Sequence, residues 1–171
     1  MSGVRSWVVA IALGWVAMIG VDLGLHAGLL APLYDWKSAF LISPGNAFAR
    51  IPIGYLSFLV LAAPLAWLLT RLGIRTARDG ALMGGGLGAV VWGALLLGLW
   101  SISTADPALL AGWWIGQTAE LAVGGLVIGS ILGGARIRSV AWRVGALVVA
   151  GAVVAVVLQS IGYATAPGVV R

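Results

Sequence analysis

Residues 7–30 read WVVAIALGWVAMIGVDLGLHAGLL, and this continuous apolar stretch decides the fold class. In a helix rising about 1.5 Å per residue it can cross the ~30 Å hydrocarbon core of a bilayer. The apolar region of a signal peptide is shorter, about 7–15 residues, so we expect an uncleaved first span. Asp22 and His26 lie inside the stretch. A charged group at bilayer depth is costly and rarely left unpaired, so these two residues indicate a site within the membrane.

Similar apolar runs recur along the chain and predict an all-α bundle of five transmembrane helices, a single transmembrane domain over residues 1–171. The expected spans are about 7–30, 51–70, 81–100, 109–134 and 144–163. The composition agrees, because 61% of the residues are hydrophobic and only 9% are charged, whereas soluble domains carry about 25% charged residues. The runs do not alternate between polar and apolar residues, which favours helices over barrel strands.

The basic residues predict the orientation of the bundle. One side should carry Arg5, Arg71, Arg75, Arg78, Arg136, Arg138 and Arg143, and the other only Lys37, Arg50 and Arg171. The positive-inside rule then places the N-terminus in the cytoplasm and the C-terminus outside. The composition is typical of a GC-rich bacterial genome, so we expect a bacterial cytoplasmic (inner) membrane. Anionic lipids at the arginine loops are expected partners, and nucleic acid is not.

The longest predicted loop covers residues 31–50 and contains Tyr34, Trp36 and Lys37. Aromatic and basic side chains suit the head-group layer of a membrane. We expect either a short interfacial or re-entrant piece on the outer surface, or a simple connector.

Glycines four residues apart predict close helix packing, which in lipid relies on small residues. They occur as Gly20, Gly24 and Gly28; Gly80, Gly84 and Gly88; Gly112 and Gly116; and Gly125 and Gly129. These stripes can hold the bundle together or join it to other chains, as a homo-oligomer or in a larger complex. At about 100° per residue, Asp22 and His26 lie almost opposite the glycines of the first span, which we therefore expect to be central.

Polar residues of separate spans should lie at similar depth in the outer half of the membrane. We expect a small outward-opening pocket that binds a ligand or a proton, formed by Asp22, His26, Gln117, Glu120 and Gln159. Arg50, Tyr55 and Trp113 are expected at its mouth. Structural alternatives stay open. Asp22 and His26 can form a helix-locking pair, Glu120 can be a protonated interhelical donor, and Gln159 can be purely structural.

The residue types exclude several chemistries. The chain has no cysteine and only one histidine, so thiolate sites and haem with two histidine ligands are excluded. One histidine with two carboxylates could form a facial triad for iron or zinc. No His–His or Glu–His pair at helical spacing supports this, so we expect neither a metal nor a cofactor. No nucleophile-elbow motif is present. Of the functional interpretations considered, enzymatic activity is the least favoured.

The sequence therefore predicts a protein that binds a small polar molecule or ion, with translocation as an open possibility. The alternative is a non-catalytic accessory or assembly subunit of a larger membrane complex.

The order of these features is similar to that of a small bacterial multi-pass membrane family of unknown function. Members have an aspartate late in the first span, an aromatic loop, a glycine-rich third span and a carboxylate in the fourth beside a tryptophan and glycines. Over residues 7–134 the corresponding positions are Asp22, Tyr34, residues 84–88, Trp92, Trp113, Glu120, Gly124 and Gly125. The chain departs from the pattern with His26 in place of a tryptophan and Glu120 in place of an aspartate. The resemblance implies no biochemical activity.

Overall fold

A computed structural model describes residues 3–34 and 40–163, and these are almost entirely helical. The elements are α1 (Gly3–Gly24), a π-helical turn (Leu25–Leu29), a 3₁₀ helix (Ala31–Tyr34), α2 (Pro44–Arg71), α3 (Ala77–Ile102), α4 (Pro107–Leu132) and α5 (Ile137–Ser160). Five helices are long and apolar enough to cross a membrane, α1 together with the π-helical turn being the first. The predicted all-α fold with five helices of membrane-spanning length is thereby confirmed. Trp36, Lys37 and Arg171 lie outside the described residues.

Helix α2 begins at Pro44, so the predicted loop over residues 31–50 is wrong for residues 44–50. A proline in the first turn of a helix loses no hydrogen bond, because the first N–H groups have no partner within the helix. Pro52, where we expected the span to start, and Pro64 both lie inside the continuous helix. Arg50 therefore belongs to α2, not to a loop.

Other helix ends also differ from the predicted ones, because side-chain caps begin helices α3 and α4 outside the apolar runs. The Thr76 hydroxyl accepts a hydrogen bond from the Asp79 N–H at the start of α3. Asp106 likewise accepts from the N–H groups of Ala108 and Leu109 at the start of α4. Such caps satisfy N–H groups that lack a partner within the helix. Helix α5 starts at Ile137 and ends at Ser160, so its first turns include arginines that we expected in a loop.

The predicted close approach of helices through glycine is confirmed. At Gly80 and Gly84 of α3, an added Cβ would collide with the carbonyl oxygens of Gly125 and Leu121 of α4. At Gly151 of α5, an added Cβ would collide with the carbonyl oxygen of Gly20. Backbones this close gain dispersion contacts that larger side chains would prevent, and these contacts are a main source of helix association in lipid.

Helix α1 is central, as predicted, because it contacts α2, α4 and α5. Its glycine face lies on α5, where Gly20 packs against Val148 and Gly28 against Ala155. Its other face turns His26 towards Glu120 of α4. Both faces of the helix are thus occupied by protein.

An apolar core fills the part of the bundle next to these polar residues, on the side of the N-terminus. Its largest fully buried apolar side chains are Met18, Leu65, Leu69, Leu121 and Ile128. Beyond this core, the loops at that end of the bundle contact each other. The Arg75 Nη1 atom donates to the carbonyl oxygen of Leu132 at 3.0 Å.

Candidate functional site

His26 is positioned by a widened turn at the end of α1. The Leu30 N–H donates to the Leu25 carbonyl at 2.6 Å, five residues back, as in a π-helix. Helix α5 holds this turn, because the Gln159 side-chain nitrogen donates to the Ala27 carbonyl at 3.0 Å. Single π-helical turns are rare and occur frequently at functional sites.

A glycine on α4 makes room for the His26 ring. An added Cβ at Gly116 would collide with the His26 Nε2 atom. With this space open, Nε2 lies 3.3 Å from the Oε1 atom of Glu120, one helical turn further along α4. The imidazole is thereby wedged between α1 and α4.

Asp22, His26 and Glu120 form one cluster. Each offers one potential ligand atom, and these atoms all lie within 4.8 Å of one another. The Tyr55 hydroxyl of α2 hydrogen-bonds to the Asp22 carboxylate. Three helices thus contribute polar groups to one point in an otherwise apolar bundle.

The cluster is almost closed to solvent, and its polar groups are poorly satisfied. The Glu120 side chain is 0% exposed and that of His26 is 12% exposed. Among the described residues, neither carboxylate oxygen of Glu120 has a hydrogen-bond partner, and neither has His26 Nε2. His26 Nε2 and Glu120 Oε1 form an ion-pair contact at 3.3 Å, which is not counted among the hydrogen bonds of the described residues. Buried polar groups without partners cost free energy, about 1–3 kcal/mol each or more when charged.

Tyr34 supports the other side of the His26 ring. Its hydroxyl oxygen lies 2.6 Å from His26 Nδ1 and 2.6 Å from the Nε1 atom of Trp113. Indole nitrogen only donates, so the Tyr34 oxygen accepts from Trp113 and its own proton is free to go to Nδ1. In that arrangement a neutral His26 carries its proton on Nε2, facing Glu120. Burial raises the pKa of Tyr34, although the Trp113 hydrogen bond acts in the opposite direction.

The remaining predicted site residues differ in how close they lie to the cluster. Tyr55 contacts Asp22, and Trp113 reaches His26 through Tyr34. Gln159 bonds to the backbone of the π-helical turn and not to the cluster. Arg50 is exposed on α2. Within the described part of the chain, Gln117 is half-buried and no side-chain hydrogen bond is found for it.

Sequence reasoning missed two features of this site. Tyr34 was expected only as part of an aromatic loop, although it follows His26 by only eight residues. Gly116 was expected only in a packing stripe. The available signal was a glycine one turn before Glu120 on the same helix face, where a large side chain from another helix can fit.

The expected outward-opening pocket at the cluster stays a prediction. One surface cavity lies at the opposite end of the bundle and is lined by Ser6, Ile131, Gly134, Ala135, Arg136 and Ile137. Another lies on the outer face of α5. Neither includes a residue of the cluster. The small spacing of the ligand atoms in the cluster suits an ion better than a polar molecule of several atoms. Proton handling stays a prediction.

No protein-family model matches the chain, and no curated protein or solved structure is significantly similar to it. The similarity to a bacterial membrane family, noted from the order of features, stays a prediction. The geometry of the cluster therefore carries the functional inference.

Proposed function

We propose that this chain is a multi-pass protein of a bacterial cytoplasmic membrane that binds a small cation through Asp22, His26 and Glu120. The observation that carries the proposal is the Glu120 side chain, which is 0% exposed and faces His26 Nε2 at 3.3 Å. Both of its oxygens lack partners among the described residues. A cation placed between these atoms would satisfy them together.

A purely structural role fits this geometry less well. A polar pair that only locks helices gains stability when its donors and acceptors are satisfied, since half-satisfied buried networks are costly. Tyr34 and Trp113 show that the region does form short, well-placed hydrogen bonds. The side of His26 that faces Glu120 is the side left without one.

The size of the cluster favours an ion. One potential ligand atom from each of the three residues lies within 4.8 Å of the others, a separation that an ion bound by bonds of about 2 Å can nearly span. Larger polar ligands would need a cavity in contact with these atoms. The proposal therefore narrows the expected small polar ligand to a cation.

We propose cation binding and not cation translocation across the membrane. Met18 and Leu121, both fully buried, lie next to Asp22 and Glu120 on the side of the apolar core. A cation crossing the bundle would have to pass this core, which requires helices to separate. Translocation therefore stays a prediction, and it would require a second conformation of the bundle in which these helices separate.

The proposed orientation places the cluster in the outer half of the membrane. The segments that carry Arg5, Arg75 and Arg136 lie at one end of the bundle. Cytoplasmic loops of membrane proteins are enriched in such basic residues, so we assign this end to the cytoplasm. Asp22 and His26 lie towards the other end of the first span. The cation would then enter from the periplasmic side.

Thermal unfolding of the full chain in detergent tests the proposal. The protein is stripped with a chelator and scanned with Na⁺, K⁺, Mg²⁺, Ca²⁺, Mn²⁺ and Zn²⁺ separately. Binding at 100 times the dissociation constant would add about 2.7 kcal/mol of stability, and Tm would rise accordingly. We expect at least one cation to raise Tm, with the gain lost in Asp22→Asn and Glu120→Gln.

Ser130→Ala is the matched control, because Ser130 lies on the same helix outside the cluster and its hydroxyl bonds to the Leu126 carbonyl of that helix. It should keep the gain. The proposal is wrong if no cation raises Tm, or if the gain survives in both carboxylate variants. A chain that is stable only together with other purified chains would support the accessory-subunit alternative instead.

A further inference from the structure

We infer that the bound cation is a divalent first-row transition-metal ion, held by His26 Nε2 and by carboxylate oxygens of Asp22 and Glu120. This inference rests on the proposed cation-binding function and specifies its ligand class.

Charge balance favours a divalent ion. Asp22 and Glu120 together carry two negative charges when both are ionised. Within the described residues, the one ion-pair contact at either carboxylate is that of Glu120 with His26, and no arginine or lysine forms one there. A monovalent cation would leave one negative charge uncompensated in a low-dielectric interior, which is costly. A divalent cation would neutralise both.

The donor set favours a transition metal. Imidazole nitrogen suits zinc, iron, nickel and copper, whereas carboxylate oxygen suits manganese and magnesium. Zn²⁺, Fe²⁺ and Mn²⁺ accept both donor types. Ca²⁺ takes six to eight oxygen ligands, and Mg²⁺ demands a near-octahedral oxygen shell with several waters. Glu120 is 0% exposed, so the site offers little room for such a shell.

The distances fit an ion with short bonds. Two ligands on adjacent corners of a tetrahedron with bonds of about 2.0–2.1 Å lie about 3.4 Å apart. The distance between His26 Nε2 and Glu120 Oε1 is 3.3 Å. The widest possible separation of two ligands is about 4.4 Å for bonds of about 2.2 Å. The potential ligand atoms of the three residues lie within 4.8 Å of one another, so the cluster would have to close slightly around the ion.

Tyr34 would act as a positioning residue. A histidine that binds metal usually donates its other ring N–H to a nearby acceptor, which fixes the tautomer and the ring orientation. Tyr34 lies 2.6 Å from Nδ1 and can accept this N–H, because a hydroxyl both donates and accepts. Trp113 holds the Tyr34 oxygen by its own 2.6 Å hydrogen bond. His26 can thus change tautomer without losing its partner.

Cobalt absorption provides a direct test, because Co²⁺ replaces Zn²⁺ and its visible bands report nitrogen and oxygen ligands. The full chain is purified without a histidine tag and stripped with a chelator. His26 is then the one imidazole of the chain, and cysteine is absent from the sequence. We expect one Co²⁺ per chain, with bands that Zn²⁺ displaces and that Mg²⁺ and Na⁺ leave unchanged.

Variants assign the bands to this cluster. His26→Ala should abolish them and Ser130→Ala should retain them. Tyr34→Phe should retain the bands but weaken the affinity about 10- to 100-fold, as expected of an outer partner of a metal ligand. If His26→Ala does not fold, His26→Gln and Asp22→Asn provide the same comparison with smaller changes in volume.

The two proposals fail in different ways. If Na⁺ or Mg²⁺ raises Tm through Glu120 and no cobalt band forms, the transition-metal inference is overturned and cation binding stands. If no cation changes Tm and no band forms, both are overturned. Bands that persist in His26→Ala would overturn the assigned ligands.

Discussion

The His26 Nε2 atom lies 3.3 Å from the Glu120 Oε1 atom, in a bundle where the Glu120 side chain is 0% exposed. Two other contacts fix this relationship from outside. Gly116 leaves the space that the ring occupies, and Tyr34 holds the opposite nitrogen. The polar atoms that face each other have no hydrogen-bond partner among the described residues.

Replacing Glu120 by methionine should stabilise the chelator-treated protein by about 1–3 kcal/mol. The change removes two buried oxygens without partners and keeps a similar volume. The measurement is unfolding in detergent with a chelator present. Leu121→Met is the control, since Leu121 is 1% exposed and the change should cost less than about 1.5 kcal/mol. A large loss of stability in Glu120→Met would mean that the carboxyl group is structural.

Gly116→Ala should displace the His26 ring, because the added Cβ would collide with Nε2. We expect a loss of about 1–3 kcal/mol from overpacking, together with loss of the cation-dependent rise in Tm. Gly145→Ala is the control, because a Cβ at Gly145 of α5 would meet nothing within 4 Å apart from neighbouring backbone of its own helix. That change should be neutral or stabilising by up to about 1 kcal/mol. An unchanged cation effect in Gly116→Ala would contradict the described position of the ring.

We expect ionisation of the Tyr34 hydroxyl to reduce stability at high pH. Burial raises its pKa above the ordinary value of 10.0, so the folded protein keeps a proton that the unfolded chain releases. The contribution is therefore complete below pH 10 and decreases as the pH rises towards the folded pKa. Tm measured between pH 8 and about 11.5 should fall less steeply in Tyr34→Phe than in the unchanged chain. Equal slopes would contradict this account of Tyr34.

The proposed orientation predicts the side on which each end of the chain lies. In bacterial cells, alkaline phosphatase fused after Arg171 should be active and green fluorescent protein at the same position should be dark. A fusion in the loop between α2 and α3, near Arg75, should give the opposite pattern. Activity on the reverse sides would place the cluster near the cytoplasm and would invert the proposed direction of cation entry.

The sequence was sufficient to predict the bundle, because hydrophobic length alone determines which segments can span a membrane. The glycine faces followed from their spacing, and Gly84 against Leu121 illustrates the close contact they predicted. The helix ends were less predictable. Helices α2 and α4 begin at Pro44 and Pro107, outside the apolar runs, where hydropathy carries no signal.

The candidate site was predictable in part. Depth along each span indicated that Asp22, His26 and Glu120 lie at similar levels. The exact position of the His26 ring was not predictable, because the π-helical turn Leu25–Leu29 alters the helical spacing at His26. Gln117 shows the same limitation. It lies at a suitable depth, yet no hydrogen bond to the cluster is found for it within the described residues.

Anomalous X-ray diffraction from crystals of the zinc-soaked chain, recorded above and below the zinc edge, tests the central claim most directly. We predict a single anomalous peak about 2 Å from His26 Nε2 and from one oxygen each of Asp22 and Glu120. The account is contradicted if the three side chains point away from one another, or if zinc lies elsewhere while Glu120 is satisfied by neighbouring protein groups.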